Sequence, residues 1–368
     1  MNIVITGANG FVGKNLYEEL SRNETYNVIK ITRESSADFL KASLKEADFI
    51  FHLAGINRPE TEAEFKTGNV DFTNKVIEYT LLNEKKPSVL YSSSVQASND
   101  NPYGNSKAEA ETLFDALKNN GNQVYIYRLN NLFGKWSKPN YNTVVATFCH
   151  KIARDEEIQV NDPNVELTLN YIDDVLREFK RALQDQPTLK DEFGVVPKEH
   201  TVTLGRIADT IKQFKQDRID RTLPKLDDEF EKALYSTYLS FLPTDKFSYP
   251  LTMHKDDRGS FTEFIKTPDR GQTSVNISKP GITKGNHWHH TKNEKFLVVA
   301  GNGVIRFRKP DEDEIYEYFV SGEKLEVVDI PVGYTHNIEN LGNTDMVTVM
   351  WVNEMFDAEN PDTYFLEV

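Results

Sequence analysis

One cysteine, Cys149, occurs in 368 residues. That excludes an intrachain disulfide framework and predicts a reducing, cytoplasmic compartment. No apolar run reaches the ~20 residues a membrane-spanning helix needs. The opening residues, Met1-Asn2-Ile3-Val4-Ile5-Thr6-Gly7, have no basic n-region and read as a strand, not a signal peptide. Positive charge is also scarce: 43 Lys plus Arg face 57 Asp plus Glu, a net charge of −14. Such a balance repels nucleic-acid phosphates and anionic lipid heads, so neither is an expected partner. It leaves room for a local basic pocket and one phosphorylated small molecule. What is present is core material: 38% of residues are hydrophobic and 11% aromatic. At ~100–200 residues per domain, two domains are expected. There is no internal repeat and no low-complexity tract.

The two parts have different rhythms. Up to about residue 240, short β-branched or aromatic runs (3–5, 28–31, 49–53, 89–91, 124–127) alternate with amphipathic stretches such as 14–21 and 105–119. Continuous apolar runs fit strands buried on both faces, and the alternation predicts an α/β, doubly wound parallel sheet. Beyond about 243, Gly and Pro punctuate runs of five to eight residues (273–277, 296–299, 304–307, 315–320, 325–330, 346–352). That pattern predicts an all-β barrel or sandwich. The expected domains are 1–243 and 244–368, with a helical connection over 223–249.

Gly7, Gly10 and Gly13 follow the first strand and open the first helix, the geometry that lets a backbone approach a pyrophosphate. The second strand ends in Thr32-Arg33 where an acidic residue would bind a ribose 2′-hydroxyl. A guanidinium suits a 2′-phosphate, so NADPH is the expected cofactor, against the plainer reading of a solvated arginine. Tyr103 and Lys107 lie four residues apart on one helix face, and an adjacent ammonium is expected to lower the phenol pKa. Ser94, ending another strand, is positioned to donate to a carbonyl.

With Asp48, His52-Leu53-Ala54-Gly55, Arg128-Leu129-Asn130-Asn131 and Tyr171-Ile172-Asp173-Asp174, these elements resemble the extended short-chain dehydrogenase/reductases of nucleotide sugars. The resemblance implies a Rossmann-type domain. It places Gly7, Gly10, Phe11, Val12, Gly13, Arg33, Asp48, Leu53, Ala54, Gly55, Tyr103 and Lys107 at the cofactor. Tyr103 would be the proton donor, Lys107 the ribose-orienting group, Ser94 the carbonyl holder and Asn131 a neighbour of the nucleotide sugar. One position departs from the pattern: Leu167 stands where relatives usually carry Arg.

Four of eight histidines fall between 287 and 336. On a strand, His287 and His289 project to one face, and Glu294 and His336 complete a three-nitrogen, one-oxygen set suited to zinc, iron, manganese or nickel, zinc foremost. The spacing, with Gly281, Gly301, Pro331, Gly333 and Asn340, resembles the two cupin signatures, although Leu325 replaces an expected glycine. The approach, Asp256-Asp257-Arg258-Gly259 through Gln272, Asn276, Ser278 and Lys284, is similar to the deoxysugar 3,5-epimerase cupins. That likeness implies substrate contact by Lys284 and two roles for His287, ligand or base; ligand is favoured because its three partners are present. Tyr334, between Gly333 and His336, is a candidate for the opposing acid–base, against the equally open reading of a packing aromatic on a barrel strand.

A Rossmann-type reductase followed by an all-β cupin barrel resembles, along the whole chain, the bifunctional capsular-polysaccharide enzymes of the UDP-N-acetyl-L-fucosamine pathway. The family implies a UDP-linked 4-keto-6-deoxy amino sugar as substrate, C3 epimerisation in the barrel, C4 reduction by NADPH, and a homodimer. Two alternatives stay open: a dinucleotide-binding redox sensor, disfavoured by Tyr103/Lys107, and a reductase whose barrel is a structural, dimerising or sugar-binding module.

Overall fold

The computed structural model describes residues 1–141 and 143–368. Two compact units are present: Met1–Gln213 with Leu226–Pro243, and Phe214–Lys225 with Thr244–Val368. Division at 243 would leave 214–225 in the first unit. It packs in the second because Arg221 pairs with Glu263 at 2.9 Å, Lys266 N–H donates to Arg221 O, and Leu223 N–H donates to Lys266 O.

The first unit begins β1 (Asn2–Thr6), α1 (Phe11–Leu20), β2 (Asn27–Ile31), α2 (Ala37–Lys45) and β3 (Phe49–His52). It continues α3 (Ala63–Phe65), α4 (Phe72–Thr80), β4 (Ser88–Ser94), α5 (Pro102–Leu113), α6 (Asp115–Asn119), β5 (Val124–Leu129) and β6 (Asn131–Phe133). Then come α7 (Val144–Ile152), β7 (Glu166–Tyr171), α8 (Ile172–Leu183), β8 (Leu189–Lys190), β9 (Phe193–Gly194), β10 (His200–Thr203), α9 (Leu204–Asp220), which belongs to the second unit from Phe214 onward, and α10 (Glu229–Ser240). The main sheet has the order β2-β1-β3-β4-β5-β9-β8, and β1 to β5 pair in parallel. Both faces are covered. Ile3, Ile5, Phe49, Phe51 and Tyr127 pack on one side with Leu16 and Phe179, while Val4, Ile50, Val89, Tyr91 and Ile126 pack on the other with Leu44, Val76 and Phe114. This is the doubly wound α/β sheet expected from the continuous apolar runs. Its order reverses between β1 and β3, the crevice where such sheets bind ligands.

The second unit contains β11 (Met253–Asp256), β12 (Gly259–Thr267), β13 (Gly271–Ser278), β14 (Thr283–Trp288), β15 (Glu294–Ala300) and β16 (Asn302–Arg308). They are followed by β17 (Ile315–Ser321), β18 (Val327–Ile330), β19 (Thr335–Asn340), β20 (Met346–Val352) and β21 (Tyr364–Phe365). A six-stranded sheet, β11-β12-β13-β20-β15-β18, faces a five-stranded one, β17-β16-β19-β14-β21. Phe296, Val298, Ile305, Phe307, Ile338 and Met346 form the core of this cupin-like barrel. The connection over 223–249 resolves into one twelve-residue helix, α10, capped by the Asp228 side chain on Glu231 N–H. No described helix is long and apolar enough to cross a membrane.

Candidate active site and metal centre

The turn after β1 is built by glycine. Gly7 has φ +67°, and a Cβ there would sit 2.7 Å from Ala54 N; one on Gly13 would lie 2.2 Å from Gly7 O. Side chains at these positions would push β1, α1 and the turn after β3 apart. Gly10 caps α1 without a side-chain acceptor, so the first-turn N–H groups are left for an anion. Phe11, Val12 and Leu53 anchor this turn by packing on the core beneath it. This open, glycine-lined helix start fits a dinucleotide pyrophosphate.

The 53–55 turn is fixed from below. His52 is fully buried; Thr6 Oγ1 lies 2.7 Å from its Nδ1 and Thr73 Oγ1 2.9 Å from its Nε2. Thr73 gives its own hydroxyl proton to Asn69 O, so the ring donates from Nε2 and accepts at Nδ1. Burial, aided by the Lys107 charge, lowers the His52 pKa to about 3. Asn69 spans Ile56 N–H and O at 2.7 and 2.9 Å, holding the strand exit.

At the end of β4, Ser94 caps a short turn by accepting from Gln96 N–H at 3.2 Å. Asn101 caps α5, and Gly104 lets that helix close on the turn, since its Cβ would lie 2.2 Å from Gln96 O. This approach brings the Tyr103 hydroxyl into hydrogen-bonding contact with Ser94. Lys107 is buried; its Nζ donates to Ser92 O at 2.9 Å and Tyr91 OH at 3.3 Å, and a Cβ on Gly55 would lie 3.2 Å away. Burial lowers the Lys107 pKa to about 8, opposed by Glu111. Tyr103 itself moves upward, because burial outweighs the Ser94 hydrogen bond. The expected lowering by Lys107 is absent in this arrangement: the ammonium is engaged by Tyr91 and Ser92.

Asp48 needs correction. It precedes β3, at the N-terminal ends of the parallel strands and so at the opposite end from Gly7, where it accepts from Asn2 N–H at 2.7 Å and pairs with Lys85 at 3.1 Å. Asp48 is a sheet-end residue, not a cofactor contact. Arg33 is exposed just past β2, and the neighbouring Glu34, which sequence reading passed over, accepts from the Thr32 hydroxyl at 2.6 Å. Asn131 opens β6, exposed.

In the barrel, a bulge between Gly285 and His287, with Asn286 at φ +58°, sets His287 opposite His336. One donor atom from each of His287, His289, Glu294 and His336 lies within 4.8 Å of the others. His289 Nε2, Glu294 Oε2 and His336 Nε2 are buried without hydrogen-bond partners. Three orphaned donors aimed at one point, all borderline or hard, fit a divalent cation such as zinc. Burial raises the Glu294 carboxyl, but His289 and His336 outweigh it and bring it to about 2. Burial and the two neighbouring histidines lower His287 to about 4. Lys284 Nζ donates to Asn276 Oδ1 and Ile277 O, both at 2.8 Å. Tyr334 packs on the core, its ring 6.5 Å from Phe307. Asp362, which carries no recognisable signal in the sequence, accepts from His289 Nδ1 through its carbonyl.

The family model described as NAD dependent epimerase/dehydratase family matches residues 3–193. The chain belongs to that family. A second model, the polysaccharide biosynthesis C-terminal domain, matches residues 254–364. The chain is 46% identical to UDP-2-acetamido-2,6-beta-L-arabino-hexul-4-ose reductase of Pseudomonas aeruginosa, over 100% of this chain and 99% of that protein. The crystal structure of the capsular polysaccharide assembling protein CapF from Staphylococcus aureus superposes with TM-score 0.96 at 66% identity, covering 100% of both chains. UDP-glucuronic acid 4-epimerase from Bacillus cereus, with TM-score 0.52 at 20% identity over 59% of this chain and 84% of that one, shares the fold of the first unit. The chain is thus of the CapF type, with both parts present.

Proposed function

We propose that the chain is an NADPH-dependent C4 ketoreductase for a UDP-linked 4-keto-6-deoxy amino sugar, with a zinc-dependent C3 epimerase in its barrel, forming UDP-2-acetamido-2,6-dideoxy-L-talose on the route to UDP-N-acetyl-L-fucosamine for capsule. The activity of the Pseudomonas aeruginosa relative and the CapF likeness support the substrate class. The observation that carries the reading is the convergence of Ser94, Tyr103 and Lys107 at the edge of the sheet that carries the Gly7 turn.

NADPH, when bound, supplies the hydride that reaches C4. The chain does the rest. Ser94 holds the carbonyl oxygen, and Tyr103 gives it the phenolic proton as negative charge develops there. Lys107, the buried cation beside Gly55, would orient the ribose. Arg33 meets the 2′-phosphate. In the barrel, His287, His289, Glu294 and His336 would hold zinc, which would supply positive charge to stabilise an enolate. Tyr334 would be the acid–base on one face of C3, whose proton the C4 ketone acidifies, with a base on the opposite face completing the inversion, and Lys284 would contact the substrate. A second copy of the chain is the proposed partner, supported by the exposed apolar edge strand β17, where Phe319 is 68% exposed.

Tyr103→Phe tests the reductase directly. It should lower turnover at least ~10²-fold while NADPH still binds, because ring and Lys107 remain. Near-native turnover removes Tyr103 from the reaction. The closed four-donor set also supports a second reading, a barrel with structural zinc only; C3 exchange with solvent deuterium separates the two.

A further inference from the structure

The metal centre has an outer layer that its four donors do not include. Asp362 stands at φ +42°, in the left-handed region, and presents two groups to the turn after β14. Its backbone carbonyl lies 2.5 Å from His289 Nδ1. A carbonyl oxygen only accepts, so Nδ1 must carry the ring proton and Nε2 must be the free lone pair. That Nε2 is one of the buried atoms without a partner. Meanwhile the carboxylate accepts from three consecutive N–H groups, those of His290, Thr291 and Lys292, at 3.0, 2.8 and 3.1 Å, and from the Thr291 hydroxyl at 2.9 Å. Lys292 Nζ returns a bond to Pro361 O.

The same segment reaches the strands of two further donors. Phe365 pairs opposite His287, and Leu366 N–H donates to Asn286 O at 3.0 Å. Thr335, beside His336, donates its hydroxyl to Leu366 O. Residues 361–367 therefore brace three of the four donors from outside.

We propose that Asp362 is the positioning residue of the metal centre: its carbonyl sets the His289 tautomer, and its carboxylate locks the 290–292 turn so that Nε2 meets the other donors. This rests on the reading of the four side chains as a metal site. Partners of this kind around ligating histidines are worth ~10–100-fold in metal affinity. Removing the carboxylate frees the turn and the carbonyl together, so the lost affinity appears as faster metal release.

The experiment is a Zn²⁺ titration of the full chain against a chromophoric chelator, for wild type, Asp362→Ala and Asp362→Asn. Thermal transitions are recorded with and without Zn²⁺. Asp362→Ala should weaken Zn²⁺ binding ~10–100-fold and shrink the Zn²⁺-induced rise in Tm, leaving the metal-free Tm little changed. Asp362→Asn keeps one acceptor and tolerates left-handed φ, so it should fall between the two. It carries the test if the alanine variant does not fold. Wild-type affinity in both variants, or an equal loss of Tm with and without metal, overturns the positioning role. A wild-type chain that binds no Zn²⁺ removes the metal site itself, and with it this proposal.

Discussion

A single side chain sets the proposed cofactor preference. Arg33 is exposed at the end of β2, in a turn where Thr32 also holds the Glu34 carboxylate. A guanidinium fork gains two charge-assisted bonds from a 2′-phosphate and little from a 2′-hydroxyl. Arg33→Ala should therefore raise KM for NADPH at least ~10-fold, the scale of one lost charge-assisted bond, and change KM for NADH much less. Equal changes in both would show that Arg33 does not meet the phosphate. The residues proposed to carry chemistry were read from short-range spacings: three glycines in one turn, Tyr103 and Lys107 on one helix face, and His287 with His289 on one strand, although β14 ends at Trp288 and His289 lies just beyond it. Asp48 was misread because a motif gives order along the chain, not which end of a strand a residue occupies. Asp362 left no trace, since its partners lie some seventy residues away in sequence.

At the scale of elements, β3 is both core and scaffold. All four of its residues are buried, and its last, His52, ties β1 to α4 through Thr6 and Thr73. Its folded-state pKa of about 3 lies below the ordinary 6.5. Between those values the unfolded chain takes up a proton that the folded chain does not, so stability falls as pH drops from 6.5 toward 3 and this contribution is constant above 6.5. His52→Asn should lower Tm at pH 7 through the lost hydrogen bonds, yet lose less further Tm between pH 7 and 5 than wild type. Parallel slopes in the two proteins would remove His52 from the acid response. The apolar runs made these central strands readable. Strands β14 and β19 were harder, because their polar donors interrupt the apolar pattern and a bulge at 285–287 breaks the alternation. Helix α1 begins three residues before the expected start at 14, since Phe11 and Val12 already lie inside its first turn.

At the scale of the whole molecule, the two proposed chemistries share one chain. The reductase residues lie in the first unit and the metal donors in the second, so each should be removable alone. The likeness to CapF along the full chain supports the pairing. The helix–strand join at 214–225 was not legible, because backbone pairing between Arg221 and Lys266, not hydropathy, assigns it to the barrel unit. The most direct measurement follows both reactions at once. UDP-2-acetamido-2,6-dideoxy-4-keto-hexose is incubated with the full chain in D₂O, first without NADPH and then with it, and deuterium at C3 is read by mass spectrometry beside NADPH oxidation. Wild type should place deuterium at C3 before any cofactor is added and then oxidise NADPH. His336→Ala should lose zinc and C3 exchange together, yet still reduce a purified C3-epimerised ketone. C3 exchange at the wild-type rate in a folded, zinc-free His336→Ala chain would contradict a catalytic metal centre, and absence of NADPH oxidation by the wild type on either ketone would contradict the account as a whole.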